Sequence, residues 1–132
     1  MTRKSRSGFT LVELLTVIAI IALLAALIMG LAGNAQRKAA RSRAEAEITQ
    51  LQSFVTEYRT RYGQVPGTAA ALAGALVAAN HSLTNSVNAG DMPEDPWGIP
   101  YRYERSSPAT FYLWSTAGDD ANRAAWLGNP EP

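Results

Sequence analysis

The sequence predicts an α+β fold in which a long N-terminal α-helix packs on a small head made of a short helix and an antiparallel β-hairpin or sheet. Three observations predict it. Residues 14–33 form a run of 20 residues without a charge. Apolar residues then recur at helical spacing as far as residue 62, and residues 101–115 carry the patterns of two strands. We therefore expect a membrane half and an amphipathic half of one helix.

The charge-free run is long enough to cross a bilayer. At a rise of about 1.5 Å per residue it spans roughly 30 Å, the thickness of the hydrocarbon core. A chain of 132 residues has little protein to surround such a helix, so a membrane helix over residues 9–33 is favoured over a buried core helix. Charges leave its orientation open, because basic residues flank both ends: Arg3, Lys4 and Arg6 before it, and Arg37, Lys38, Arg41 and Arg43 after it.

Residues 34–62 are predicted to continue the helix with one apolar face. The apolar positions, three or four residues apart, are Ala44, Ile48, Leu51, Val55, Tyr58 and Tyr62. The polar side chains expected on the opposite face are Arg43, Glu47, Glu57 and Arg61. Gly63 followed by Pro66 predicts a helix end at Tyr62.

The remaining segment, residues 63–132, is predicted to form the head, which packs on the apolar face. Thr68 is a candidate N-cap for a short helix over residues 69–79. Residues 101–105 and 110–115 are predicted to form the hairpin.

Glu13 is the anomaly of the apolar segment, because a carboxylate within a membrane span costs up to about 2.5–3.5 kcal/mol at the centre. An ordinary signal peptide cleaved near residue 33 is one explanation, but its apolar core would run only about 7–15 residues. An uncleaved anchor accounts for the length and leaves Glu13 unexplained. A third explanation gives the carboxylate a cationic partner.

The segment GFTLVEL, residues 8–14, resembles the class III signal of type IV pilins and type II secretion pseudopilins. The resemblance implies that a prepilin peptidase removes the leader, residues 1–8, by cutting between Gly8 and Phe9, and that it methylates Phe9. Glu13 would become the fifth residue of the mature chain. Its carboxylate would meet the α-amine freed at Phe9, in the same chain or in a neighbour, and would align subunits during assembly.

A second segment, DPWGIPY at residues 95–101, resembles the DPWG-x-PY segment of major pseudopilins. The resemblance implies a homopolymeric filament subunit that drives protein export across the outer membrane. Its partners would be the prepilin peptidase, the inner-membrane assembly platform, minor pseudopilins and membrane lipid. The N-terminus would be cytoplasmic and the head periplasmic, first at the inner membrane and then in the pseudopilus. The alternatives are a major or minor pilin of a surface type IV pilus, serving adhesion, motility or DNA uptake, and a singly anchored envelope domain.

The same resemblance implies a calcium site, because a loop after the last strand holds Ca²⁺ in major pseudopilins. The matching residues here are Ser115, Asp119 and Asp120. Calcium takes six to eight oxygens, usually with more than one carboxylate. The family usually places further acids downstream, whereas this chain has only Glu131 after Asp120. The alternative is a solvated turn.

No sequence feature indicates an enzyme. The chain has no cysteine and one histidine, His81, and it lacks the phosphate-loop, HExxH and GxSxG patterns. The basic cluster that follows the apolar run has no interleaved aromatic residue for base stacking, so no nucleic acid is expected as a partner.

Overall fold

The computed structural model describes residues 8–84 and 90–130, with the backbone alone for residues 31 and 32. Helix α1 spans Leu11–Tyr62 and helix α2 spans Ala69–Ala78. The strands are β1 at Arg102–Arg105, β2 at Phe111–Ser115 and β3 at Leu127–Asn129. These elements confirm the α+β class. Residues 1–7 of the predicted leader lie outside the described residues.

Helix α1 contributes to two compact units, Met1–Arg37 and Lys38–Pro132. Within the first unit, the described large apolar side chains of the helix are exposed; Leu11 is 81% exposed and Met29 is 81% exposed. Within the second unit, the rest of α1 is packed with the head. The predicted boundary between residues 33 and 34 stays a prediction.

The ends of the helices follow local signals in the sequence. Gly63, with a φ of +78°, donates its N–H to the Arg59 carbonyl at 2.8 Å. This left-handed residue ends α1 where it was predicted. At the start of α2, the Thr68 hydroxyl accepts the Ala71 N–H at 3.2 Å, which confirms the cap. Helix α2 ends at Ala78, one residue earlier than predicted.

The sheet has the strand order β1-β2-β3, and both pairings are antiparallel. The predicted hairpin is confirmed, with Tyr103 opposite Leu113. Strand β3 was not predicted, because a three-residue strand with a central glycine carries no alternation. Gly128 has a φ of +100°, and an added Cβ would overlap the Leu113 carbonyl oxygen. Only glycine therefore fits where β3 pairs with β2, opposite Trp114.

The core of the second unit lies between α1, α2 and the sheet. Four of the six predicted helix positions are buried in it, namely Ala44, Ile48, Leu51 and Val55. They share a cluster with Leu72 and Leu76 of α2 and with Tyr103, Leu113 and Leu127 of the sheet. The prediction was wrong at Tyr62, which is 61% exposed. Its ring contacts the ring of Tyr58 at a centroid distance of 4.4 Å instead of entering the core.

Candidate functional site

The N-terminus of α1 is closed by a reciprocal pair of contacts between Thr10 and Glu13. The Glu13 N–H donates to the Thr10 hydroxyl oxygen at 3.3 Å. In return, the Glu13 Oε2 accepts the Thr10 N–H at 3.4 Å and the Thr10 hydroxyl at 3.2 Å. This arrangement is a capping box, which satisfies two N–H groups that have no partner within the helix. A glutamate also stabilises the helix at this position, because its negative charge lies near the positive end of the helix dipole.

Thr10 is a residue of this site that the sequence analysis missed. The signal was present, because a threonine followed three residues later by a glutamate, just before an apolar run, is the capping-box pattern. The carboxylate therefore has donors within a single chain. The structure does not test whether Glu13 also meets the amine of Phe9, so its role in assembly stays a prediction.

Gly8 and Phe9, the predicted cleavage residues, lie just before α1 in backbone that is not helical. The Phe9 side chain is 76% exposed, and no atom lies within 4 Å of a Cβ built on Gly8. The bond between them is therefore not protected by helix hydrogen bonds or by packing against the described residues.

The apolar part of α1 is long and apolar enough to cross a membrane. Its most apolar window of 18 residues has a mean hydropathy of 2.9, and none of that window is buried. A soluble core helix of this composition would be covered by protein. The length of this segment, its composition and its exposure therefore all support the predicted membrane helix.

The DPWGIPY segment is a turn organised around one buried carboxylate. Asp95 is 5% exposed, and its Oδ1 accepts the N–H groups of Trp97 and Ile99, both at 3.0 Å. Its Oδ2 accepts the Ser115 hydroxyl at 2.5 Å. Gly98 has a φ of +78°, in the left-handed region that favours glycine. Asp95 thus joins this turn to the end of β2.

The last residue of that segment reaches α1 through a second buried carboxylate. The Tyr101 hydroxyl donates to Glu47 Oε2 at 2.7 Å, and Arg43 Nε donates to Glu47 Oε1 at 2.7 Å. The prediction of a solvent-facing Glu47 was wrong, because the residue is 6% exposed. Its carboxylate avoids the cost of burial by taking one donor from the helix and one from the head. We call Arg43, Glu47 and Tyr101 the Glu47 cluster.

Burial controls the ionisation of the two tyrosines on this side of the head. It raises the pKa of Tyr101 far above its ordinary value of 10.0, and the hydrogen bond and charge of Glu47 raise it further. Burial raises the pKa of Tyr103 to about 12. The phenol form of both side chains is therefore favoured by folding.

The free energy of unfolding is expected to fall as the pH rises above about 10, because the unfolded chain then loses phenolic protons that the folded chain retains. Below the ordinary tyrosine pKa, the full contribution of the two buried tyrosines to the free energy of unfolding is present. Urea unfolding followed by tryptophan fluorescence between about pH 8 and pH 11 measures it. Tyr101→Phe should make the fall shallower, whereas Tyr62→Phe, at an exposed ring, should leave it unchanged. An unaltered slope in Tyr101→Phe would contradict this reasoning.

The structure places the predicted calcium ligands at the end of β2 and in the loop after it. The Ser115 hydroxyl is buried and already bonded to Asp95, while Asp119 and Asp120 are exposed. Among residues 8–84 and 90–130, no three histidine, cysteine or acidic side chains form a group that could hold a metal ion. Calcium binding stays a prediction, and this donor set fits it poorly.

His81 has a structural role that its sequence position did not reveal. Its Nδ1 accepts the Leu83 N–H at 3.3 Å. Its ring packs in a T-shaped arrangement with the Phe54 ring, at a centroid distance of 5.6 Å. The ring contact joins the segment after α2 to α1 within the second unit.

Comparison with known proteins agrees with both motifs. Residues 3–29 match the family described as prokaryotic N-terminal methylation motif, and residues 32–126 match the family described as type II secretion system protein G. Core protein G of the type II secretion system from Aeromonas hydrophila is 33% identical over 84% of this chain and 80% of its own length. The proteins of that name from Pseudomonas aeruginosa and Escherichia coli K12 are each 32% identical over 90% of this chain. They are covered over 88% and 85% of their own lengths.

No solved structure gives a significant match. The two family matches nevertheless cover both units of the molecule, and each includes one of the motifs built above, the capping box at Glu13 and the turn at Asp95. The chain therefore belongs to the type II secretion system protein G family, the family of the major pseudopilin.

Proposed function

We propose that this chain, a structural subunit of a type II secretion pseudopilus, polymerises through residues 9–33 to drive protein export across the outer membrane. The observation that carries the proposal is the exposed apolar part of α1, whose start is capped by Thr10 and Glu13. It overlaps the matched methylation motif, which ends at residue 29. The family is one of structural pseudopilins and not of enzymes. The matched protein G family does not favour a surface pilus or a singly anchored envelope domain.

Processing by a prepilin peptidase is the first step of the proposal. A peptidase requires an accessible bond in non-helical backbone, and the bond between Gly8 and Phe9 meets both conditions. Cleavage would free an α-amine at Phe9, four residues before Glu13, at a helix start that already holds a carboxylate. Methylation of Phe9 would complete the mature N-terminus.

The exposed apolar side chains of α1 explain why the subunit needs two successive environments. Before assembly, lipid of the inner membrane would cover them, with the N-terminus on the cytoplasmic side and the head in the periplasm. After assembly, the same side chains would pack on helices of neighbouring subunits in the periplasmic pseudopilus. The assembly platform and minor pseudopilins are the further partners of this transfer.

The N-terminal sequence and intact mass of the chain from membranes of a host with a prepilin peptidase test the proposal. We expect a start at Phe9 and the mass of one added methyl group. A start at Asn34 would indicate an ordinary signal peptide, and an intact Met1 would indicate a plain anchor. Either result would overturn the proposal.

Two glycine variants sharpen this measurement. Gly8→Leu should leave the leader attached, because it changes the residue before the cut. Gly33→Leu, at another exposed glycine of the same unit, should be cleaved normally. Equal cleavage of the two variants would show that the cut lies elsewhere.

A further inference from the structure

The loop between β2 and β3 begins with a tight turn that is closed by a backbone hydrogen bond. Its central residues, Ala117 and Gly118, have φ values of +54° and +83°, and the Asp119 N–H donates to the Thr116 carbonyl at 3.0 Å. Consecutive left-handed residues are the requirement of a type I′ turn. A Cβ added to Gly118 would lie 3.2 Å from the Trp97 ring, so the turn also packs closely against the DPWGIPY segment.

Two acceptors of Asp119, one carboxylate oxygen and the backbone carbonyl, bind donors of the loop. Its Oδ1 accepts the N–H groups of Ala121 and Asn122 at 3.1 and 3.2 Å. Its backbone carbonyl accepts the indole N–H of Trp126 at 3.0 Å. One residue thus gathers three donors from the segment that leads to β3.

Two acidic side chains of this loop, Asp119 and Asp120, would have to bind a cation, and one of them already lies next to an arginine. Arg102 Nη2 lies 3.5 Å from Asp120 Oδ1. The Arg123 guanidinium lies over the Trp126 ring at 5.4 Å, and that ring stacks on Trp114 at 6.2 Å. A divalent cation bound by Asp119 and Asp120 would face the Arg102 guanidinium. It would find two carboxylates, one of them paired, in place of the larger oxygen set that calcium prefers.

We propose that Trp126, Asp119 and Arg102 brace this loop in place of a bound cation, so that folding of the head does not depend on calcium. The indole closes the loop by its hydrogen bond to the Asp119 carbonyl, and the arginine balances the acidic charge. The inference concerns the loop alone and does not rest on the filament function proposed above.

Thermal unfolding of the full chain in detergent tests the proposal. All three tryptophans lie in the head, so their fluorescence reports its unfolding. We expect Tm values that agree within about 1 °C in about 10 mM CaCl₂ and in the same concentration of EDTA. A calcium site of the extracellular type, with a Kd of about 0.1–1 mM, would raise Tm by several degrees under these conditions. Such a rise would overturn the proposal.

Variants of Asp119 distinguish a brace from a ligand. Asp119→Asn keeps an acceptor for both N–H groups and removes the charge, so Tm should change by less than about 2 °C with or without calcium. Asp119→Ala removes the acceptor and should lower Tm by about 4–8 °C equally in calcium and in EDTA. A calcium-dependent difference between the parent chain and Asp119→Asn would contradict the brace.

Trp126→Phe is the second arm of the test. It keeps a ring next to Trp114 and removes the indole donor, so Tm should fall by a few degrees in both solutions. Isothermal titration of the parent chain with CaCl₂ gives an independent readout, and no binding heat is expected. Saturable binding heat, or a Trp126→Phe chain as stable as the parent, would count against the proposal.

Discussion

A chain with Glu13→Val is expected to remain folded and membrane-bound but to form no filaments. The substitution removes the single acid of the apolar segment, and with it the only charge there that could attract the α-amine of an incoming subunit. In hydrocarbon such an attraction is poorly screened, so it acts strongly on the register between helices. The hydrogen bonds of Glu13 are made with Thr10 and Thr16, its neighbours in the chain, so the head should melt as before.

Filament yield after induction of the secretion machinery, measured by shearing and electron microscopy, checks this result. Glu45→Val removes an exposed acid farther along α1 and serves as the matched control, which should still polymerise. A Glu13→Val chain that assembles at the normal rate would show that the carboxylate does not set the register.

Glu13→Gln separates the two roles that the structure allows for this side chain. Glutamine can replace glutamate in a capping box, so the helix start and its contact with Thr10 should persist. The charge is lost, however, and assembly should fail as it does for Glu13→Val. Normal filaments in Glu13→Gln and none in Glu13→Val would assign the role to capping instead of charge pairing.

The head is expected to lose most of its stability in Asp95→Ala. The substitution leaves the Ser115 hydroxyl and the N–H groups of Trp97 and Ile99 without their acceptor. Each unsatisfied buried donor costs about 1–3 kcal/mol. Because Trp97 and Ile99 are only partly buried, we expect a total at the low end of the sum for three donors, about 3–5 kcal/mol. For a unit of this size, Tm should fall by roughly 15 °C or more.

Tryptophan fluorescence during heating measures the loss, and two variants control it. Asp95→Asn keeps an acceptor for the two N–H groups, so it should retain more than half of the stability that Asp95→Ala loses. Asp91→Ala removes an exposed acid nearby and should change Tm by no more than about 2–4 °C. If Asp95→Ala were as stable as Asp91→Ala, the turn would not depend on its carboxylate.

Features that depend on neighbours in the chain could be predicted from the sequence. The stop at Gly63, the cap at Thr68 and the hairpin of residues 101–115 each involve residues close together in the chain. The membrane segment is equally local, because its composition alone determines how it partitions. The methylation motif matched at residues 3–29 belongs to the same class, since it is a contiguous pattern. Cleavage between Gly8 and Phe9 stays a prediction.

Contacts between distant residues were decided only by the tertiary structure. Glu47 looks like a surface acid on the helix, and its burial depends on Tyr101, 54 residues away. Ser115 resembles a metal ligand in its segment, yet its hydroxyl bonds to Asp95, 20 residues away. Strand β3 exists because Gly128 can approach β2 closely. Burial and pairing depend on what the rest of the chain places opposite a residue, and no local pattern contains that information.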